Sequence, residues 1–287
     1  MNVFTKLALK SKSGCTVLLL LMVALTSLPV QDLLAEDAQD WSRECELMVE
    51  NKIKSKGITD PQILTSLCRI PRHIFLPDSL RSLAYEDIPL PIGLGLFDPA
   101  PSTVARMAEL LDLKPTDTIL VLGSGSGYLA AIFSLLTAEV DLTEINQDLL
   151  YKAMDAFATL KLSNIKVRLR NGMYGWDPPR TFEAIVVNGS VSYIPENIIK
   201  LLRVGGRLIM PLGKPYGVQN LILAIKTETS YTIQSFGEVI FPPLTSQALD
   251  QSDKNEYREL DEGCPDYSFA YLYPASRRRR TITGYPA

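Results

Sequence analysis

Residues 119–128 read Ile-Leu-Val-Leu-Gly-Ser-Gly-Ser-Gly-Tyr, an apolar run that breaks into three glycines spaced G-x-G-x-G and resumes as an apolar helix near Tyr128. A short apolar run bounded by turn residues is the pattern of a strand buried on both faces. Gly123, Gly125 and Gly127, with Ser124 between the first two, form a turn that admits positive φ and close approach of a ligand to the backbone. The helix start behind it offers free N–H groups to a polar ligand. A dinucleotide turn wants G-x-G-x-x-G; here the third glycine arrives one residue early, which favours S-adenosyl-L-methionine. Ala138-Glu-Val-Asp-Leu-Thr143 reads as the next strand, and Glu144 at its end is placed to accept hydrogen bonds from both hydroxyls of a ribose. The glycines alone are compatible with a tight turn that binds nothing; Glu144 argues against that reading.

Composition sets the frame around this motif. The chain has 287 residues, 46% hydrophobic and 21% charged, enough for one large α/β domain with additions and too mixed for disorder. A formal net charge of -3 gives no reason to expect nucleic acid as a partner. At the N-terminus, Lys6, Lys10 and Lys12 precede an uncharged run, Val17 to Leu28, whose length suits a secretory h-region better than a membrane span. Cleavage after Ala35 is the expectation, although Leu33 fits the small-x-small rule poorly and leaves an uncleaved anchor as the alternative. Either version puts the folded domain outside the cytoplasm, periplasmic or membrane-anchored, with a cytoplasmic domain the alternative if the segment is not a signal. With Cys15 in that segment, Cys45, Cys68 and Cys264 remain, and no C-x-x-C occurs. A Cys45–Cys68 bridge suits an oxidising compartment, but the plainer reading is small buried hydrophobes. A single histidine, His73, without clustered Cys or carboxylates argues against a metal site.

Four segments follow: a signal or anchor (1–35), a helical and loop subdomain (36–101), an α/β domain (102–246) and a tail (247–287). In the second, Trp41, Cys45, Met48, Val49 and Ile53 recur at helical spacing up to Gly57, and Asp60-Pro61 opens another helix with Asp60 as its cap. Prolines from Pro71 to Pro101 predict loops and turns, which are frequent builders of sites. In the third, Ser102 to Leu111 is helical with Ser102 or Thr103 as cap, Asn146 to Leu162 is helical, Ile165 to Leu169 and Phe182 to Val187 are strands, and Pro195 to Leu202 is a helix. Gly205-Gly206 turns into a strand at Arg207–Met210, and Leu221–Lys226 with Tyr231–Val239 close the sheet as an antiparallel pair. Alternating strands and helices predict a parallel sheet covered on both faces, with its ligand at the carboxyl ends of the strands. The tail carries Tyr267, Phe269, Tyr271 and Tyr273 before Arg277–Arg280; it reads as a solvated tail, with contact to anionic lipid or polymer as the sharper alternative.

Pro71-Arg-His-Ile-Phe-Leu-Pro77, Ala84-Tyr85, Leu90-Pro-Ile-Gly93, Val104-Ala-Arg-Met107, the glycine loop and Val204-Gly-Gly-Arg-Leu-Ile-Met-Pro-Leu-Gly213 together resemble the protein-L-isoaspartate O-methyltransferase family, from about Trp41 to Thr245. The resemblance implies an α/β, Rossmann-like methyltransferase fold: a seven-stranded sheet with helices on both faces and a small N-terminal helical subdomain. It also implies S-adenosyl-L-methionine as cofactor and methyl transfer to the carboxylate of isoaspartyl residues in damaged proteins, so the implied partner is a protein or peptide bearing isoaspartate. Membrane contact through the N-terminal segment or Arg277–Arg280 is a further expectation.

Against the family pattern, several positions differ. Where relatives usually carry Gly-Gln-Thr-Ile-Ser-Gln-Pro, this chain has Gly95-Leu-Phe-Asp-Pro-Ala-Pro101. The serine expected to meet the substrate carboxylate falls on Pro99, flanked by Asp98, with Ser102 the nearest hydroxyl. An acidic residue usual in the first strand is Val121, and the carboxylate usual near the adenine is Asn171, followed by Gly172. Asn188, after the Phe182–Val187 strand, is a further pocket candidate. Three functions remain open from sequence: an isoaspartyl methyltransferase, an inactive descendant serving as an envelope scaffold, and a methyltransferase for a more apolar acceptor suggested by Leu94, Leu96 and Phe97.

Overall fold

The computed structural model describes residues 41–174, 176 and 180–244. The expected export segment and the aromatic and basic tail therefore lie outside the described residues. The chain divides into two compact units, Met1–Glu46 and Leu47–Ala287. Of the first, residues 41–46 are described and helical.

The second unit is built on the Ile119 run. Strand β3 (Thr118–Leu122) is buried from Ile119 to Leu122, as a central strand flanked on both faces must be. In front of it stand α1 (Pro61–Arg69), the hairpin β1 (Leu90–Gly93) and β2 (Leu96–Asp98), and α2 (Pro101–Leu111). After it come α3 (Tyr128–Ser134), β4 (Glu139–Glu144), α4 (Gln147–Thr159), β5 (Ile165–Leu169), β6 (Phe182–Val187), α5 (Glu196–Lys200), β7 (Leu202–Leu212), β8 (Gln219–Lys226) and β9 (Tyr231–Val239).

Seven of these strands form one sheet in the order β5-β4-β3-β6-β7-β8-β9. The first five in that order are mutually parallel, and β7, β8 and β9 pair antiparallel. From β3 the chain steps outward through β4 to β5, then returns to the other side of β3 for β6. Right-handed crossovers consequently place α3 and α4 on one face and α5 on the other. Leu120, Leu122, Ile185, Val187, Leu208 and Met210 pack on the α5 side with Ile198 and Ile199. Val121, one residue out of phase, belongs to the opposite face. The reversal of strand order falls between β3 and β6, where an open α/β sheet leaves a crevice at its carboxyl edge.

Local signals set most boundaries. Asp60 Oδ1 accepts from the backbone N–H of Gln62 and Ile63, capping α1, and Asn146 Oδ1 accepts from Leu149 N to cap α4. The start of α2 departs from the sequence reading: neither Ser102 nor Thr103 is the cap. Ala100 takes that position with Pro101 at the first helical residue, and the Ser102 N–H is satisfied from a distance by Asp87 Oδ1 at 2.8 Å. Helix α5 is shorter than the Pro195–Leu202 reading, and β7 runs through Gly205-Gly206 rather than starting after it, with a register irregularity opposite Phe182–Ala184. The cysteine reading is corrected too: Cys45 and Cys68 are disulfide-bonded rather than free.

Candidate active site

At the carboxyl edge, the ends of β3, β4 and β6 open onto a cavity. Gly123 and Gly125 form its floor, Glu144 and Ile145 one wall, Asn171 and Gly172 another, and Asn188 the side toward β6. Thus six of the sequence-derived positions, Gly123, Gly125, Glu144, Asn171, Gly172 and Asn188, converge on one space although they span 65 residues of chain. Ser124 and Gly127 do not line it. Ser124 is buried and donates its backbone N–H and its Oγ to Glu144, whereas Gly127 faces α4, where a Cβ would stand 2.8 Å from Ala153 Cβ. Val121 is buried away from the cavity.

Glu144 organises the loop. Its Oε2 accepts from Ser124 N (2.9 Å), Ser124 Oγ (3.0 Å) and Gly125 N (3.3 Å), and its Oε1 accepts from Ile145 N and Asn146 N at 2.8 and 2.9 Å. The carboxylate therefore ties the end of β4 to the glycine turn and faces its charge into the cavity rim. Gly125 is open for a different reason. A Cβ there would lie 3.2 Å from Asn188 Nδ2 and 3.5 Å from Asp98 Oδ1, so only a bare backbone leaves room for a ligand between these groups. At Gly172 a Cβ would meet Leu122 and Thr143, which keeps the Asn171 turn pressed against the strand ends. Asn171 Oδ1 accepts from Met173 N and fixes that turn. Asn188 Nδ2 donates to the Gly123 carbonyl across the switch point.

A further wall of the cavity is built by the β1–β2 hairpin. Ile92, Leu96 and Phe97 line the cavity, and Asp98 lies beneath them, buried, with its Oδ2 accepting from Ser126 Oγ. Burial pushes the Asp98 carboxyl above its ordinary range, opposed by the Ser126 hydrogen bond and by Arg72. Pro99 offers a carbonyl and no side-chain donor. That carbonyl is held by Arg72, which is 1% exposed and also donates to the carbonyls of Ala84, Glu86 and Ile88. Ser102 does not reach the cavity; its Oγ accepts from Lys56 Nζ. The remaining wall, Pro242, Pro243 and Leu244, comes from the far end of the described chain, bridged to Ser190. Sequence reasoning missed these residues and Arg72, because their pairing with the loop is long-range; the Pro71–Pro77 motif was the available signal for Arg72.

Residues 43–249 match the family model of protein-L-isoaspartate(D-aspartate) O-methyltransferase. The chain belongs to this family. It is 38% identical over 238 residues to protein-L-isoaspartate O-methyltransferase 2 of Shewanella sediminis, covering 82% of this chain and 98% of that protein. It is also 38% identical over 211 residues to the protein-L-isoaspartate O-methyltransferase of Methanoculleus marisnigri, covering 74% and 96%. Among solved structures, a Plasmodium falciparum protein-L-isoaspartate O-methyltransferase in complex with S-adenosyl-L-homocysteine is similar at 25% identity and a TM-score of 0.59, over 69% of this chain and 96% of that one. A further protein-L-isoaspartate O-methyltransferase structure shares the fold at a TM-score of 0.64.

Proposed function

We propose that this protein uses S-adenosyl-L-methionine to methylate the side-chain carboxylate of isoaspartyl residues in damaged proteins. The observation that carries the reading is the convergence of the glycine turn, Glu144 and Asn188 on one cavity at the switch point of a family-matched sheet. These residues fit the cofactor. Gly125 supplies a floor that a side chain would fill, and Glu144 lines the cavity with acceptor oxygens that a ribose hydroxyl would share with the loop N–H groups they now hold. Asn171 and Gly172 form the edge on which the adenine would rest.

When bound, the cofactor supplies a methyl group already activated by a positive sulfur. An ionised carboxylate is already a nucleophile, so no general base is needed, and the protein's work is alignment and exclusion of water. Ile92, Leu96 and Phe97 do the second. The hydroxyl that relatives offer the substrate carboxylate is missing at Pro99, and the N–H groups of Gly123, Ser124, Gly125 and Gly127 are already committed within the fold, so its positioning falls to Asn188 on the cavity wall. Asp98 would repel an incoming carboxylate if ionised; the upward push of burial favours its neutral form and reduces that conflict.

Export is part of the same proposal. The basic and apolar N-terminal pattern supports it, and the disulfide-bonded state of Cys45 and Cys68 suits an oxidising compartment.

The test is methyl transfer from radiolabelled S-adenosyl-L-methionine to a synthetic peptide carrying one isoaspartyl residue, beside the same peptide with ordinary aspartate. Label in the isoaspartyl peptide alone is the expected result. Cofactor binding without transfer to either peptide would point instead to another acceptor, and absence of both to a binding module on a methyltransferase fold.

A further inference from the structure

The hairpin on the acceptor side holds a residue that the fold itself does not explain. Leu94, at the tip between β1 and β2, has φ 57°, a left-handed backbone that a side chain with a Cβ adopts reluctantly, and it is 69% exposed. Its isobutyl group gains little from burial within this chain, and the space around the tip is open, since a Cβ on either neighbouring glycine would meet nothing within 4 Å. Strain of this kind combined with apolar exposure points to a role outside stability.

The first residues of β2 show the direction of that role. Leu96 and Phe97 are half-buried and line the cavity together with Ile92. Residues 90–97, Leu-Pro-Ile-Gly-Leu-Gly-Leu-Phe, contain no charged or hydrogen-bonding side chain. An apolar strip therefore continues from the wall of the cavity out to the hairpin tip. The only polar side chain adjoining it in sequence at the β2 end, Asp98, is turned inward to Ser126. An isoaspartyl acceptor is one residue of a polypeptide, so when its carboxylate enters the cavity the adjacent residues must lie along the rim that this strip forms.

We infer that the β1–β2 hairpin selects among acceptors: isoaspartyl residues with a bulky apolar neighbour are methylated in preference to those with a polar or charged one. This rests on the proposed isoaspartyl reaction. An apolar side chain laid on Leu94, Leu96 and Phe97 leaves water on both partners, whereas a charged one loses solvation with nothing on the strip to replace it.

The test uses the full chain and isoaspartyl hexapeptides that differ only in the residue beside isoaspartate, leucine against serine, on each side in turn. The expected kcat/KM is about tenfold higher for leucine on at least one side, the discrimination an apolar subsite typically supplies. Leu96→Gln with Phe97→Thr should remove the preference, with the melting shift on adding S-adenosyl-L-homocysteine reporting that the variant is folded. Leu94→Asn is the independent variant: asparagine tolerates the left-handed backbone, so its melting temperature should rise while the preference shrinks. Equal kcat/KM for both peptides on both sides, or a preference that survives all three substitutions, would overturn the inference alone. Absence of transfer to every isoaspartyl peptide would overturn the reaction as well.

Discussion

A carboxylate has about four lone-pair sites, and Glu144 occupies them with donors from the glycine turn on one oxygen and from the start of α4 on the other. Glu144→Gln replaces one acceptor oxygen with an NH2 facing other N–H groups. The expected loss is about 2–3 kcal/mol of stability in a denaturant titration, because buried donors are left unpaired. Asp98 makes the opposite kind of demand. Its folded-state pKa is raised above the ordinary 3.8, so its contribution is fully present below that value and is lost as pH rises through the folded pKa. Asp98→Asn keeps an acceptor for Ser126 and removes the ionisation. The stability of this variant relative to the parent should therefore improve from pH 4 to pH 8, read as a difference in melting temperature; a difference constant with pH would contradict the assignment. Glu144 was legible in the sequence because its position at a strand end after a glycine turn is a local pattern. The Asp98–Ser126 bond was not, since the partners are 28 residues apart and belong to different elements.

Among the elements, two contacts hold the site's shape. Arg72 donates to four carbonyls between Ala84 and Pro99 and so fixes the segment that carries the hairpin wall of the cavity. Arg72→Met preserves much of the volume but leaves buried carbonyls without their donor, and should cost about 1–3 kcal/mol. Gly127 begins α3 at φ 97°, with a built Cβ 2.8 Å from Ala153 and 2.9 Å from Phe157 on α4. Gly127→Ala combines that overlap with backbone strain, so a loss of about 1–3 kcal/mol is expected. Equilibrium denaturation checks both. Sequence patterns place α1, β3, β5 and β6 well because caps and apolar runs are local signals. The cap of α2 misleads because Asp87 reaches Ser102 N through the tertiary fold and makes a serine cap unnecessary. The Gly205-Gly206 pair lies within β7, yet it falls in the register irregularity between Leu202 and Arg207, so regular pairing with β6 and β8 resumes at Arg207, where the sequence places the strand.

For the whole molecule, the strand reversal between β3 and β6 is what brings Gly123, Glu144 and Asn188 together. Alternation of strands and helices in the sequence was enough to expect this crevice, whereas the Pro242–Leu244 wall was hidden because nothing local ties it to Ser190. Alkylation of the native protein should leave Cys45 and Cys68 unlabelled until reductant is added, seen by peptide mass; labelling before reduction would contradict the bonded state. The central claim, that this cavity holds the cofactor through the glycine turn and Glu144, is tested most directly by calorimetric titration of S-adenosyl-L-homocysteine into the parent chain and into Glu144→Gln. Saturable binding to the parent is expected, with affinity at least about tenfold weaker in the variant, roughly 1.4 kcal/mol. Equal affinity in the two, or no binding to a folded parent at millimolar ligand, would contradict that claim.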